Sequence, residues 1–269
     1  MHANFSASLA SVDGAVMLAS SATIPATDEG LLRGDGVFEV IRVYDGQPFA
    51  LEEHLRRLER SASNLRLPLD VEAVRTDARR LLAHAGTGTD HELLRIVVTR
   101  GGRRLLLTEP MPVQPDKIRL ATVTYSPTRV LDGVKSLSYG ANMLASRLAR
   151  ERGFDEALLV TPHRRVLEAP TSSIFYVTGA ELLTPPLNEH ILASITRAFV
   201  IEATGAAERP CTLEELLAAD EAFLASTTRE VQPVAMVDDR TFDAPGLLTR
   251  RAAEAVEGLI RERLAVGAR

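Results

Sequence analysis

The sequence has no tryptophan, four tyrosines and one cysteine, and among its 31 basic residues only Lys117 and Lys135 are lysines. Each scarcity excludes something. A single cysteine, Cys211, rules out an intrachain disulfide and any cysteine-based metal cluster; no metal centre is expected, and a reducing, cytoplasmic setting fits. Few aromatic rings leave little on which bases could stack. A net charge of -5, with arginines interspersed among Asp and Glu, argues against a nucleic-acid partner. No apolar run approaches membrane-spanning length. The opening MHANFSASLASVDGAVMLASS has no basic n-region, and Asp13 interrupts its apolar stretch, so no signal peptide is expected. The shortage of lysine bears on chemistry. A step that needs a primary amine has few candidates, because a guanidinium stays protonated and is a poor nucleophile.

What is present reads as a globular protein, 45% hydrophobic and 25% charged, long enough for one large domain or two ordinary ones. Short strands are expected at Ser8 to Ala10 and Val16 to Leu18 around Asp13-Gly14, with a turn at Gly34 and Gly36. Val37 to Tyr44 alternates as a strand before Asp45-Gly46. Glu52 to Leu65 has Leu55, Leu58, Ala62 and Leu65 at helical spacing, and a second helix is expected near Val71 to Ala85. Leu93 to Thr99 reads as a strand, after which Pro110, Pro112 and Pro115 break the pattern. The boundary falls there: a small α+β domain over 1–112, a linker over 113–117, and a larger α+β domain over 118–269 that carries Lys135. In the second part, Ile118 to Tyr125 reads as a strand. A helix after Lys135 is expected to show Leu137, Ala141, Leu144 and Leu148 on one face and to stop at Gly153. Hairpins are expected at Ala157 to Thr161 with Arg165 to Glu168, and at Ser173 to Val177 with Leu182 to Thr184. Further elements are a helix from Ile195, a strand over Ala222 to Ala225, a turn at Ser226-Thr227-Thr228, and a last helix over Pro245 to Leu264.

Lys135 lies in GVKSLSYGANMLASRLARERGFDEALLV, followed by VLEAPTSSIFYV, LLTPP, LASITR and STTREVQPV. RGDGVFEVIRVYDGQPFALEEHLRRLERSA precedes it. These ordered motifs, over roughly residues 12 to 240, resemble the fold-type IV pyridoxal-phosphate enzymes. That group includes branched-chain aminotransferases, D-amino acid aminotransferases and aminodeoxychorismate lyase. The resemblance implies a two-domain α+β fold with pyridoxal 5'-phosphate in the cleft between domains. It also implies amino acid and 2-oxo acid substrates, and a homodimer.

Residue by residue, Lys135 matches the Schiff-base lysine, which also moves the substrate α-proton. Read alone it would be a surface lysine. Glu168 matches the carboxylate that keeps the pyridine nitrogen protonated. Arg57 matches the phosphate-binding arginine, a role suited to bidentate hydrogen bonding. Ile195 and Thr196 match the helix start whose N–H groups and hydroxyl bind phosphate, and Thr227 matches a third phosphate contact. Leu192 matches the residue packed under the cofactor ring. Without the motif, these threonines read as caps or turn residues. Phe38 and Glu39 fall where the group lines its substrate pocket; Arg33, Arg95 and Thr228 are further candidates for holding substrate. Gly101-Gly102-Arg103-Arg104 reads either as an anion-binding turn or as a solvated basic loop.

The reaction is less determined. D-amino acid enzymes of the well-known type carry a Tyr on the early strand and an Arg-x-His pair after the TRG-like strand; this chain has Phe38, and Gly102-Arg103-Arg104 after Thr99-Arg100-Gly101. Either Arg33 or Arg95 could take over the substrate carboxylate, or both could be ion pairs within the small domain. The lyase branch often has Thr where Glu39 stands. The branched-chain branch shows Phe-Glu-Gly where this chain has Phe38-Glu39-Val40. Arg229, at a position often small, would bring a positive charge to the substrate mouth. The preferred expectation is a transaminase acting on D-amino acids, then the pyruvate-releasing lyase, then a branched-chain L-amino acid aminotransferase.

Overall fold

The computed structural model describes residues 8–86 and 92–267; the start of the stretch read above for a leader lies outside them. Backbone contacts divide the chain into two units, Met1–Val113 with Gly133–Tyr139, and Gln114–Asp132 with Gly140–Arg269.

The first unit contains β1 (Leu9–Val12), β2 (Ala15–Leu18), α1 (Glu29–Arg33), β3 (Gly36–Tyr44), β4 (Gln47–Pro48), α2 (Leu51–Asn64), α3 (Val71–Ala85), β5 (Leu93–Thr99) and β6 (Arg104–Glu109). Its strands form one antiparallel sheet in the order β2-β1-β6-β5-β3-β4. Asp70 caps α3 by accepting from the Ala73 amide at 3.0 Å. Leu55, Leu58 and Ala62 of α2 and Val74, Ala78 and Leu81 of α3 pack with Val37, Ile41, Leu94, Ile96 and Leu106 of the sheet. The expected α2 stripe thus faces the core.

Two elements here differ from expectation. The stretch read only as a turn contains α1, capped by Asp28 and ended by Gly34 at a φ of 67°. The stretch read as a break before the prolines contains β6, which sits between β1 and β5. Its three consecutive leucines show no alternation, and only the pairing on both sides makes it a strand.

The second unit contains β7 (Ile118–Thr124), α4 (Gly140–Glu151), β8 (Glu156–Val160), β9 (Ser173–Thr178), β10 (Glu181–Thr184), α5 (Ile195–Thr204), β11 (Ala207–Glu208), α6 (Leu213–Ala218), β12 (Glu221–Ser226), β13 (Glu230–Val237), β14 (Arg240–Thr241) and α7 (Leu247–Gly267). The sheet runs β11-β10-β9-β12-β13-β7-β8, with β14 on β13. β10/β11, β13/β7 and β7/β8 are parallel. Both faces of this sheet are covered: Leu120, Leu158, Ile174 and Leu224 enter one core, Ala121, Ala157 and Leu159 another. α6 was not expected, although Thr212 and Glu215 form a capping box legible as T-x-x-E. Arg165 to Glu168 is not a strand. It is held by single bridges and by the Leu159 amide donating to the Glu168 carbonyl at 2.9 Å.

The helix after Lys135 needs two corrections. It begins at Gly140, so Leu137 lies outside it. Its buried face is Ala145, Ser146 and Ala149, whereas Leu144 and Leu148 are 50% and 40% exposed. Small residues let the helix lie close against Ala157 and Leu159 of the sheet. Ala149→Leu is therefore expected to destabilise by about 1–3 kcal/mol through overpacking, and Leu148→Ala by less than about 1 kcal/mol. Urea unfolding of the two variants checks this; the reverse order would restore the leucine stripe as the packed face.

Candidate active site

In the first unit, Lys135 is placed by pairing against the start of β3. The Phe38 amide donates to the Lys135 carbonyl at 3.1 Å, Ser136 bridges Val37, and the Leu137 amide donates to the Gly36 carbonyl at 2.9 Å. This pairing groups the lysine peptide with the N-terminal unit, not with the C-terminal domain as expected from chain order. A β-carbon at Gly36 would come within 2.6 Å of both the Leu137 side chain and the Val98 carbonyl, so only glycine admits this approach. The Lys135 amide donates to Ser61 Oγ at 3.1 Å. Its Nζ lies 4.4 Å from the Phe38 ring centroid and 5.8 Å from that of Tyr139, and the two rings meet edge-on at 5.3 Å.

Strand alternation puts Val37, Glu39, Ile41 and Val43 on the core face of β3. Glu39 is a fully buried carboxylate among them. Arg57 Nε donates to its Oε1 at 2.7 Å and Arg57 Nη2 to its Oε2 at 2.6 Å; His54 Nδ1 lies 2.8 Å from Oε2. Burial raises the Glu39 pKa, but the Arg57 charge and hydrogen bonds, then His54, outweigh it and hold the group at about 2. Burial pushes the His54 imidazole below its ordinary value, against the pull of Glu39. His54, Arg57 and Ser61 follow one another at i, i+3 and i+7 along α2, beside the apolar stripe. Glu39, His54 and Ser61 were not singled out with Arg57 as one cluster. The available signal was a charge on the core face of a strand, opposite polar residues at helical spacing.

The other candidates of this unit are ion-paired. Arg33 is exposed on α1 and pairs with Glu29 at 2.8 Å, and Arg95 makes a two-pronged pair with Glu109 on β6. Arg103 pairs with Asp13 and Arg104 with Asp77, so the basic turn is neutralised.

In the second unit, Glu168 Oε1 accepts from the Leu192 amide at 3.1 Å. Tyr125 is raised above its ordinary pKa, first by burial and then by the Glu168 charge. Ile195 and Thr196 are the first two residues of α5, whose cap Ser194 accepts from the Arg197 amide at 3.2 Å. The first N–H groups of a helix have no acceptor within it and form the positive end of its dipole. Thr227, Thr228 and Arg229 make the turn between β12 and β13. The Arg229 side chain does not project as an open charge: it is 7% exposed, with Nε on Ser172 Oγ at 3.1 Å, Nη1 on Gln114 Oε1 at 2.8 Å and on Gln232, and Nη2 3.5 Å from Glu156. Burial lowers its pKa, against the Glu156 charge.

The Glu39 cluster predicts acid sensitivity. A carboxylate held below its unfolded value contributes stability above that value and loses it as pH falls, here from about 4.5 towards 2 and on the order of 3 kcal/mol. His54, also depressed, loses its contribution below about 6.5, in the same direction. Urea unfolding at a series of pH values should show a steeper acid decline for the native chain than for Glu39→Gln. Parallel curves would mean the pairing does not form.

Residues 36–237 match the family Amino-transferase class IV. A provisionally named branched-chain-amino-acid aminotransferase of Methanocaldococcus jannaschii is 35% identical, over 87% of this chain and 90% of that protein. A D-alanine aminotransferase of Bacillus licheniformis is 32% identical, over 92% and 95%. Among solved structures, the 4-amino-4-deoxychorismate lyase of Pseudomonas aeruginosa superposes with a TM-score of 0.81 at 30% identity, covering 93% of this chain and 98% of that one. This chain belongs to the class IV aminotransferases, pyridoxal-phosphate enzymes of α+β fold type IV.

Proposed function

We propose that the protein is a transaminase that moves an amino group between a D-amino acid and a 2-oxo acid, with Lys135 as its catalytic amine. The carrying observation is the seating of Lys135, pinned through its backbone to β3 and to Ser61 of α2, with its Nζ against Phe38 and Tyr139. D-alanine aminotransferases recur among the relatives and support the D-preference. Glu39 weighs against the lyase: the Thr often found there in that branch has no carboxylate to pair with Arg57.

The donors suit pyridoxal phosphate in kind. An amine, a carboxylate oriented by a backbone amide, a helix start and a threonine-bearing turn meet an aldehyde, a pyridine nitrogen and a phosphate dianion. When bound, the cofactor supplies an electron sink for the pair left at the substrate α-carbon. Lys135 takes the α-proton and returns it. Glu168 would hold a proton at the pyridine nitrogen. Arg57, Ile195, Thr196 and Thr227 would hold the phosphate, and Leu192 would pack against the ring. Arg33, Phe38, Arg95 and Thr228 remain the candidates for contacting substrate, although Arg33 and Arg95 would have to leave Glu29 and Glu109. A homodimer is expected and is read by light scattering.

The purified protein should be yellow, and borohydride should fix the cofactor to Lys135 by mass spectrometry. D-alanine with 2-oxoglutarate should yield pyruvate and glutamate, and Lys135→Ala should lower that rate at least about a hundredfold. Lys117→Ala, at the only other lysine, should leave it unchanged. A native rate for Lys135→Ala defeats the mechanism. Release of pyruvate and 4-aminobenzoate from aminodeoxychorismate with no oxo acid present marks the lyase instead.

A further inference from the structure

Among the described residues of the first unit, the Glu39 carboxylate is a fully buried charge that neither packing nor the reaction accounts for. It occupies a core-face position between Val37 and Ile41, where an apolar residue would be ordinary. Burying an ion pair carries a desolvation cost, and apolar replacements of similar volume are often as stable. Stability alone is therefore a weak reason for its presence. Its geometry offers a better one. Both carboxylate oxygens engage Arg57, through Nε and Nη2, which fixes the plane of the guanidinium. His54 holds Oε2 from one turn earlier on the same face of α2. One turn beyond Arg57, Ser61 accepts from the Lys135 amide. A single helix face thus carries the arginine and the backbone anchor of the lysine, and Glu39 ties that face to β3.

We infer that Glu39 is a positioning residue that fixes the orientation in which Arg57 meets the cofactor phosphate; this rests on the proposed phosphate role of Arg57. A guanidinium held by two hydrogen bonds keeps its plane fixed before the anion arrives, so little ordering is left for binding. The opposite sign is physically available. A carboxylate beside Arg57 also neutralises its charge and repels a phosphate, so if competition governed, removing Glu39 would tighten phosphate binding.

The sign is measurable by comparing pyridoxal phosphate with pyridoxal, which lacks the phosphate. Equilibrium dialysis of the holoenzyme and of Glu39→Gln, Glu39→Asp and Arg57→Lys, each checked for fold by circular dichroism, gives dissociation constants for both molecules. Positioning predicts that Glu39→Gln weakens pyridoxal phosphate about tenfold or more and pyridoxal by no more than about twofold, with Glu39→Asp intermediate. An unchanged or increased preference for the phosphorylated form in Glu39→Gln overturns the inference. Should that variant not fold, the same result in Glu39→Asp does so. Arg57→Lys, which keeps the charge but not the two-pronged geometry, should also lose the preference. If Arg57→Lys keeps it, the phosphate role of Arg57 itself fails. If Arg57→Lys loses it while the Glu39 variants keep it, only the positioning role fails.

Discussion

A buried carboxylate–guanidinium pair organises the first unit. Glu39 and Arg57 come from different elements, a strand and a helix, and neither charge is tolerable in the core without the other. Their meeting sets the rotation of α2 about its axis: once Arg57 faces β3, Ser61 faces the Lys135 peptide, and Leu55, Leu58 and Ala62 fall into the apolar core alongside. The pair and the hydrophobic stripe are two readings of one helical phase.

The second unit adds backbone groups at the ends of elements to a buried pair of its own, Arg229 with Glu156. Its candidate cofactor-holding groups sit at ends of elements: the start of α5, the turn after β12, and the stretch after β8 that carries Glu168. They extend from a sheet that is packed on both faces. Arg229, in the turn after β12, is buried and paired internally. It links the β12–β13 turn to Ser172, Gln114, Gln232 and Glu156, and so acts as a brace instead of an open charge.

Periodicity made the α2 stripe and the β3 alternation legible before any coordinates, because both are local properties of a chain with one buried face. It failed where local pattern and tertiary context part. β6 runs Arg-Leu-Leu-Leu-Thr-Glu with no alternation among its leucines, and is made a strand by neighbours on both sides. α4 carries its leucines outward and its alanines inward, since close approach to the sheet admits only small residues. α6 leaves a local signature in the Thr212–Glu215 capping box that starts it.

From its residues alone, this chain already determined its family, the scarcity that singles out Lys135, and the local type of its best-patterned helices and strands. Those follow from composition and from contacts a few residues apart. Only the folded chain decided that the lysine peptide belongs with the N-terminal unit, and that Glu39 meets Arg57 across 18 residues of sequence. It also decided that Arg229 turns inward. These depend on pairing and burial between distant segments, where a charge's partner is set by the packing of the elements that carry it and leaves no trace in local spacing.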